Sequence, residues 1–463
     1  MTIQRIAGSR SEPIPPAGGV QAHRRRRAGA SRRYAPRAVA VLASLAAAAA
    51  SALAVVPTSS ASAGHRHAGA SGGHAANWSP GPVPQPSAVA LQWYDITNTT
   101  ITDAAFPQPV TVSNAWDISW VAAAHAVAGS RDPNYQVAAL AQALHDTLVW
   151  LVPGDTATLD SDLATTLATI PNGAAKNAGI AAGQQQAAAE IAARQNDGLD
   201  TASVDSPFTP PPPGPGVWQP TPPAYGPAVR AGEGNATPFL LTANNQFDPG
   251  PPPSLTSWTY LQSLNETESY GAVNSTVRTP QETDVALFWE PAINIQYEQI
   301  VRAIIADTNN SLAWYTRLVA AFQVVTTDAQ IAIYNAKFKY VFWRPVTAIR
   351  DGSPGVTADP TWTPLFTTPS YPEYPSGHGG YAGAAQQVLT AFVGPFAPAP
   401  ISVTSPTDPG STHVYTSWAQ ITQEVINARV WEGIHFRFSD NTGAKEGAEV
   451  ADYDLPRLGS LGL

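Results

Sequence analysis

KFKYVFWRP at residues 337–345, PSGH at 375–378 and RVWEGIH at 429–435 are three basic islands in the last third of the 463-residue chain. They supply three cationic side chains (Lys337, Arg344, Arg429), two histidines (His378, His435), a hydroxyl (Ser376) and Gly377. Converging cations of this kind suit a compact tetrahedral oxyanion. Lys337 and Arg344, seven apart, return to nearly the same face of a helix, about 10 Å apart along its axis. Pro345 lacks an N–H and disfavours helical geometry at Arg344, so a helix over 311–343 should stop there. Ser376 precedes an alanine-rich run to about Val393, which predicts a helix with Ser376 at its cap. Free N–H groups and the positive end of the helix dipole attract an anion at such a start, and Gly377 lets the backbone approach closely. Arg429 and His435 are six apart and do not share a helix face, but Gly433 intervenes, so His435 is expected at a helix end.

Taken singly, each island has an ordinary reading. Lys337 reads as a solvated helix residue, His435 as a satisfied core histidine, and Ser-Gly-His as a turn. Arg429 has Glu424 and Glu432 as candidate partners. The specificity lies in the combination and its order.

A Lys-x6-Arg-Pro segment, a Pro-Ser-Gly-His segment and an Arg-x5-His segment together resemble the signature of the vanadium-dependent haloperoxidase and type 2 acid phosphatase (PAP2) superfamily. FWRPVTAIRDG at 342–352, YPEYPSGHGGYAGAA at 371–385 and RVWEGIHFRF at 429–438 resemble its bacterial haloperoxidase branch, as do GVWQPTPP at 216–223 and RTPQETDVALFWE at 278–290. The likeness runs from about Trp93 to the end and is strongest after Thr279. It implies that Lys337, Arg344 and Arg429 neutralise the oxygens of bound vanadate, and that Ser376 and the Gly377 N–H donate to it. It implies that His378 is an acid/base, and that His435 is the direct ligand to vanadium. A group that gives and takes protons near neutrality is well served by histidine. The implied activity is oxidation of halide by hydrogen peroxide, with a small organic substrate taking up the product. In a phosphatase the same site would bind phosphate, and His435 would become the nucleophile of a phosphohistidine intermediate. A secreted non-catalytic anion binder is a third reading, disfavoured because all seven site residues are present.

Some positions depart from the pattern. Ala428 stands where the superfamily often has Ser, and Ser439 where the phosphatases often have Asp, with Asp440 next. Tyr371 and Tyr334 replace a Phe and a Trp found in a chloride-oxidising branch. A more polar pocket favours bromide or iodide over chloride.

The chain has no cysteine, and its one methionine is Met1. Cys and Met are the side chains most open to strong two-electron oxidants, so their absence suits a producer of hypohalous acid; compositional drift in an alanine- and proline-rich sequence gives the same result. Residues 1–63 carry nine arginines and one acid, whereas the remainder carries 16 bases and 33 acids. Such an acidic body argues against nucleic acid as a partner. Arg32-Arg33, the apolar run Ala38–Val56 and Ala61-Ser62-Ala63 resemble a cleavable twin-arginine export signal. This predicts a secreted protein with no stable membrane association after cleavage.

The expected architecture is all-α: a helical bundle of the haloperoxidase/phosphatase type with an extended proline-rich connector. The expected segments are an export signal at 1–63, a flexible leader at 64–90, an N-terminal helical part at 91–205, the connector at 206–260, and a C-terminal helical part at 261–463 carrying the site. Helical spacing recurs over 114–152, 172–194, 279–289, 293–307, 377–393 and 416–432. Strand alternation is scarce. Trp218 and Tyr225 are expected to anchor the connector.

Overall fold

The structure is a computed structural model and describes residues 84–463. The expected export signal and most of the leader lie outside the described residues. Helices dominate. The first five are α1 (Pro86–Ala104), α2 (Pro109–Ala128), α3 (Pro133–Leu151), α4 (Thr156–Ala168) and α5 (Ala174–Arg194), followed by the single turn α6 (Thr201–Val204). After the connector come α7 (Trp258–Tyr270), α8 (Pro280–Phe288), α9 (Asn294–Asp307), α10 (Leu312–Tyr340), α11 (Pro345–Asp351) and α12 (Gly377–Val393). A hairpin of β1 (Phe396–Ser405) and β2 (Asp408–Ser417) precedes α13 (Trp418–Trp431) and α14 (Arg437–Asp454). Among the described residues no helix is long and apolar enough to cross a membrane.

The stretch read as helical over 114–152 is two helices. Asp132 caps α3 by accepting from the N–H groups of Asn134 and Tyr135, and Pro133 occupies its first position. Both features start a helix and prevent α2 from running through. Helix α10 is the axis of the fold: 22 of its 29 residues are buried, as expected of a helix apolar on every side. The main core packs α1–α5, α9, α12 and α13 around it. A second, aromatic cluster of Tyr260, Phe342, Trp343, Tyr374, Phe436 and Phe438 lies at its C-terminal end.

Helix α10 stops earlier than the sequence reading placed it. It ends at Tyr340, and Val341 turns left-handed at φ 48°. Arg344 is extended and caps the next helix, which Pro345 begins. Lys337 and Arg344 are therefore on different elements and do not share a helix face. Proline's steric demand acted as expected on Arg344, but the break came one turn earlier.

The hairpin was not anticipated. Only Ile401, Val403 and Tyr415 face inward among its hydrophobic residues, and Pro398 and Pro400 interrupt β1. Prolines of this kind are tolerated on an edge strand and mask its alternation.

The connector is irregular over most of 206–255. Trp218 is buried, and its backbone N–H donates to the Val341 carbonyl at 2.8 Å. Tyr225, by contrast, is 62% exposed and anchors nothing. Helices α12 and α14 pack backbone against backbone. A Cβ added at Gly383 would lie 2.0 Å from the Ala444 carbonyl oxygen, and one at Gly447 would lie 1.9 Å from that of Gly380. That contact fixes the N-terminus of α12, and with it Ser376 and His378.

Candidate active site

The three islands converge. Lys337, in the last turn of α10, donates from Nζ to the carbonyls of Pro372 at 3.2 Å and Glu373 at 2.8 Å. Arg344 donates from Nε to Tyr371 O at 2.9 Å and from Nη1 to Ile434 O at 3.0 Å. The same Nη1 lies 3.1 Å from His435 Nε2. Ser376 caps α12, its hydroxyl accepting from the Gly379 N–H at 3.3 Å. Arg429, in the last turn of α13, donates from Nη1 to Trp289 O and to Glu432 Oε1, each at 2.9 Å. His435 sits in the link between α13 and α14, close to a helix end as expected. Lys337, Arg344, Ser376, Arg429 and His435 are all buried, whereas Gly377 and His378 are half-buried and mark the accessible side.

The tautomers follow from the partners. A carbonyl can only accept, so His378 Nε2, 3.1 Å from Pro291 O, carries a hydrogen and leaves Nδ1 with a lone pair. His435 Nδ1 donates to Glu373 Oε1 at 2.8 Å, and its Nε2 faces the donating Arg344 guanidinium, so Nε2 holds the lone pair. Both imidazoles are kept neutral. Burial, then Arg344, Lys337 and Arg429, push His435 well below the ordinary histidine value. Burial and then Arg429 do the same to His378. Burial also lowers Lys337, with Arg344 adding to the effect. Burial raises Glu373 to about 7 against the opposing pull of Lys337 and Arg344, and raises Asp440 to about 8.

Two guanidinium groups in the cage have unused hydrogens: Arg344 Nη2 and Arg429 Nε are buried without a protein partner. Buried polar atoms are nearly always paired. Cationic donors left over in a cluster of cations near a histidine fit a bound oxyanion such as vanadate or phosphate. Of the ordinary readings, one holds in part: Arg429 pairs with Glu432, not Glu424.

Sequence reasoning missed three residues. Glu373 orients His435 and also accepts from the Phe436 N–H at 3.0 Å. Asp440 is buried beside Ser376 and Glu373. Arg230, from the connector, is paired with Glu233 through Nε at 2.6 Å and Nη2 at 2.8 Å, and its guanidinium lies 3.9 Å over the Tyr334 ring. In sequence Glu373 and Arg230 carry no spacing signal, and Asp440 stood out only as the neighbour of Ser439. Tyr334 and Tyr371 do meet, ring centroids 5.5 Å apart, with Lys337 and Arg344 5.4 Å and 4.8 Å from the Tyr371 ring centre. Burial raises Tyr371, but Arg230 and Arg344 overcome it and leave this phenol below its usual value.

Residues 317–460 match the domain family described as the VCPO second helical-bundle domain. That segment thus carries the second helical-bundle domain of the vanadium haloperoxidase type. A curated relative, the vanadium chloroperoxidase of Curvularia inaequalis, is 33% identical over 147 residues, which is 26% of this chain and 24% of the relative. The chain thus matches about a quarter of that relative's length. The haloperoxidase fold extends much further. A crystal structure described as the first bacterial vanadium-dependent iodoperoxidase superposes with a TM-score of 0.69 at 24% identity, over 82% of this chain and 98% of the other. The holo form of a bacterial vanadium-dependent chloroperoxidase gives 0.59 at 17% identity, over 82% and 93%.

Proposed function

We propose that the protein is an exported vanadate-dependent haloperoxidase that uses hydrogen peroxide to oxidise bromide or iodide in preference to chloride, delivering the oxidised halogen to a small organic substrate. The observation that carries this reading is the pair of unpartnered buried donors, Arg344 Nη2 and Arg429 Nε, within the group of cations close to His435. Vanadate, when bound, supplies a Lewis acid that activates peroxide without changing its own oxidation state.

The chain's residues divide the remaining work. His435 Nε2 is the ligand, held in its tautomer by Glu373, as carboxylates commonly orient metal-bound histidines. Lys337, Arg344 and Arg429 offset the charge of the anion's oxygens. The Ser376 hydroxyl and the Gly377 N–H donate to it from the start of α12. His378 Nδ1 takes the proton that peroxide must lose, since its Nε2 is committed to Pro291. Tyr334 and Tyr371 give the halide a polar aromatic wall, which supports bromide or iodide, and the iodoperoxidase likeness is compatible with that choice. The Arg32-Arg33 segment supports export by the twin-arginine route.

The second reading is a phosphomonoesterase. One observation favours it: a buried carboxylate on His435 Nδ1 also suits a histidine nucleophile. The deciding experiment is a peroxidase assay on vanadate-free protein with and without orthovanadate, using bromide, iodide and chloride in turn. Vanadate-dependent oxidation of bromide or iodide is expected. Efficient phosphate-ester turnover with vanadate acting only as an inhibitor would overturn the haloperoxidase assignment.

A further inference from the structure

Two site side chains depend on one short link. Between α8 and α9, the Trp289 carbonyl accepts from Arg429 at 2.9 Å, and the Pro291 carbonyl holds His378 Nε2 at 3.1 Å. This link is not helical, so its carbonyls must be aimed by contacts from outside. The hairpin supplies them. The His413 imidazole on β2 stacks on Phe288, ring centroids 3.8 Å apart and planes 5° apart. Its Nδ1 meets Glu424 Oε1 of α13 at 2.7 Å, and its Nε2 meets Asp284 Oδ2 of α8 at 2.9 Å. The same Glu424 Oε1 accepts from Trp289 Nε1 at 3.0 Å and from Tyr415 OH at 2.6 Å. At the hairpin tip, Thr407 Oγ1 donates to Leu287 O at 2.7 Å, and Ser411 donates to Asp284 at 2.9 Å.

Both ring nitrogens of His413 thus face carboxylates, which only accept when ionised. That geometry calls for the imidazolium.

We propose that His413 is a positioning residue: as an imidazolium it clasps the hairpin to α8 and α13, and so aims the Trp289 and Pro291 carbonyls that hold Arg429 and His378 at the anion site.

The groups facing His413 are Asp284 on α8, Glu424 on α13, and Tyr415 and Asp408 on the hairpin itself. Asp408 lies close to Asp284, and burial together with Asp284 pushes it up. Burial pulls His413 down, but Glu424 and then Asp284 overcome it, so it ends above the ordinary value of 6.5. With the folded value raised, the clasp is complete below 6.5 and is lost as the pH rises through the higher folded value. Loss of either proton would set a ring lone pair against a carboxylate.

This inference rests on the anion-site reading above, and its test separates the two. Orthovanadate and inorganic phosphate affinities are measured by calorimetry on the full chain, wild type against His413→Phe, at about pH 6 and about pH 9, with melting followed by circular dichroism. Phenylalanine keeps the stack on Phe288 and removes both N–H groups. The expected result is about a tenfold weaker affinity in the variant at the lower pH, the low end of what removing a supporting partner costs a metal site, shrinking towards equality at the higher pH. Comparing the two proteins at each pH cancels the ligand's own titration. Asp284→Asn, at the more exposed end of the clasp, should weaken binding in the same direction by less, and carries the test if His413→Phe fails to fold. Wild-type affinity at the lower pH in the folded variant would overturn the clasp, even with a lowered melting temperature. A wild type that binds neither anion would sink the anion site itself, and the clasp with it.

Discussion

Arg194 and Arg344 are both buried guanidinium groups, but their surroundings differ in kind. Arg194, at the end of α5, pairs with Asp197 at 2.9 Å, donates to Thr237 O at 2.8 Å and lies 3.7 Å over the Phe239 ring. Nearby, Asp328 on α10 accepts three backbone N–H bonds, from Phe239 and Leu240 at 2.7 Å and from Leu241 at 3.2 Å. The Arg194 charge is answered by the Asp197 carboxylate, although the Nε–Oδ2 contact lacks hydrogen-bond geometry. Arg344 is packed against Lys337, Arg429 and His435, and one of its nitrogens has no partner. Burying charge without an answering group is costly. The first arrangement holds the fold, and the second leaves a place for a ligand.

The comparison breaks most easily at His435. His435→Ala should abolish orthovanadate retention and peroxide-dependent halide oxidation while leaving the circular dichroism spectrum unchanged; nearly full oxidation would place the site elsewhere. His378→Ala should lower halide oxidation by roughly 10²–10⁴-fold, the usual contribution of a positioned acid or base. Orthovanadate should stay bound through His435, and equilibrium dialysis checks this.

Glu373→Gln replaces the carboxylate that fixes the His435 tautomer. Orthovanadate affinity should fall by about 10–100-fold, as for other partners of metal-bound histidines, a loss that a titration calorimeter resolves readily.

On the other side of the comparison, Asp328→Asn leaves an amide with a single acceptor oxygen beneath three N–H groups. It should cost about 1–3 kcal/mol of stability in denaturant unfolding and leave anion affinity untouched. A change in affinity there would blur the distinction between the two regions. The smallest effect is expected from Arg302→Ala. It removes a bidentate pair with Asp95 whose side chains are 48% and 46% exposed. Exposed pairs contribute roughly 0–1 kcal/mol, so the melting temperature should barely move.

Much of this protein was legible in its residues. The cap at Ser376 and the helical spacing of α10 and α12 are local chemistry, written within one or two turns of chain. Site composition was legible for a similar reason: the islands keep short internal spacings, so Lys337, Arg344, Ser376, Gly377, His378, Arg429 and His435 announce themselves together. What stayed hidden depends on partners far apart in sequence. Glu373 has meaning only because it meets His435 across 62 residues, and Arg230 only because the connector lays it over Tyr334. The hairpin escaped notice because its inward face is three hydrophobic side chains long, and His413 became a clasp only once α8 and α13 brought Asp284 and Glu424 to its two nitrogens. Sequence by itself determined α5, α8, α9, α10, α12 and α13 and the cationic, histidine-bearing character of the site, because hydrogen bonding and sterics along the backbone are short-ranged. Tertiary structure alone decided where α10 ends relative to Arg344, which carboxylate answers which cation, and which cations are left without an answer, because burial and pairing are properties of space and not of spacing.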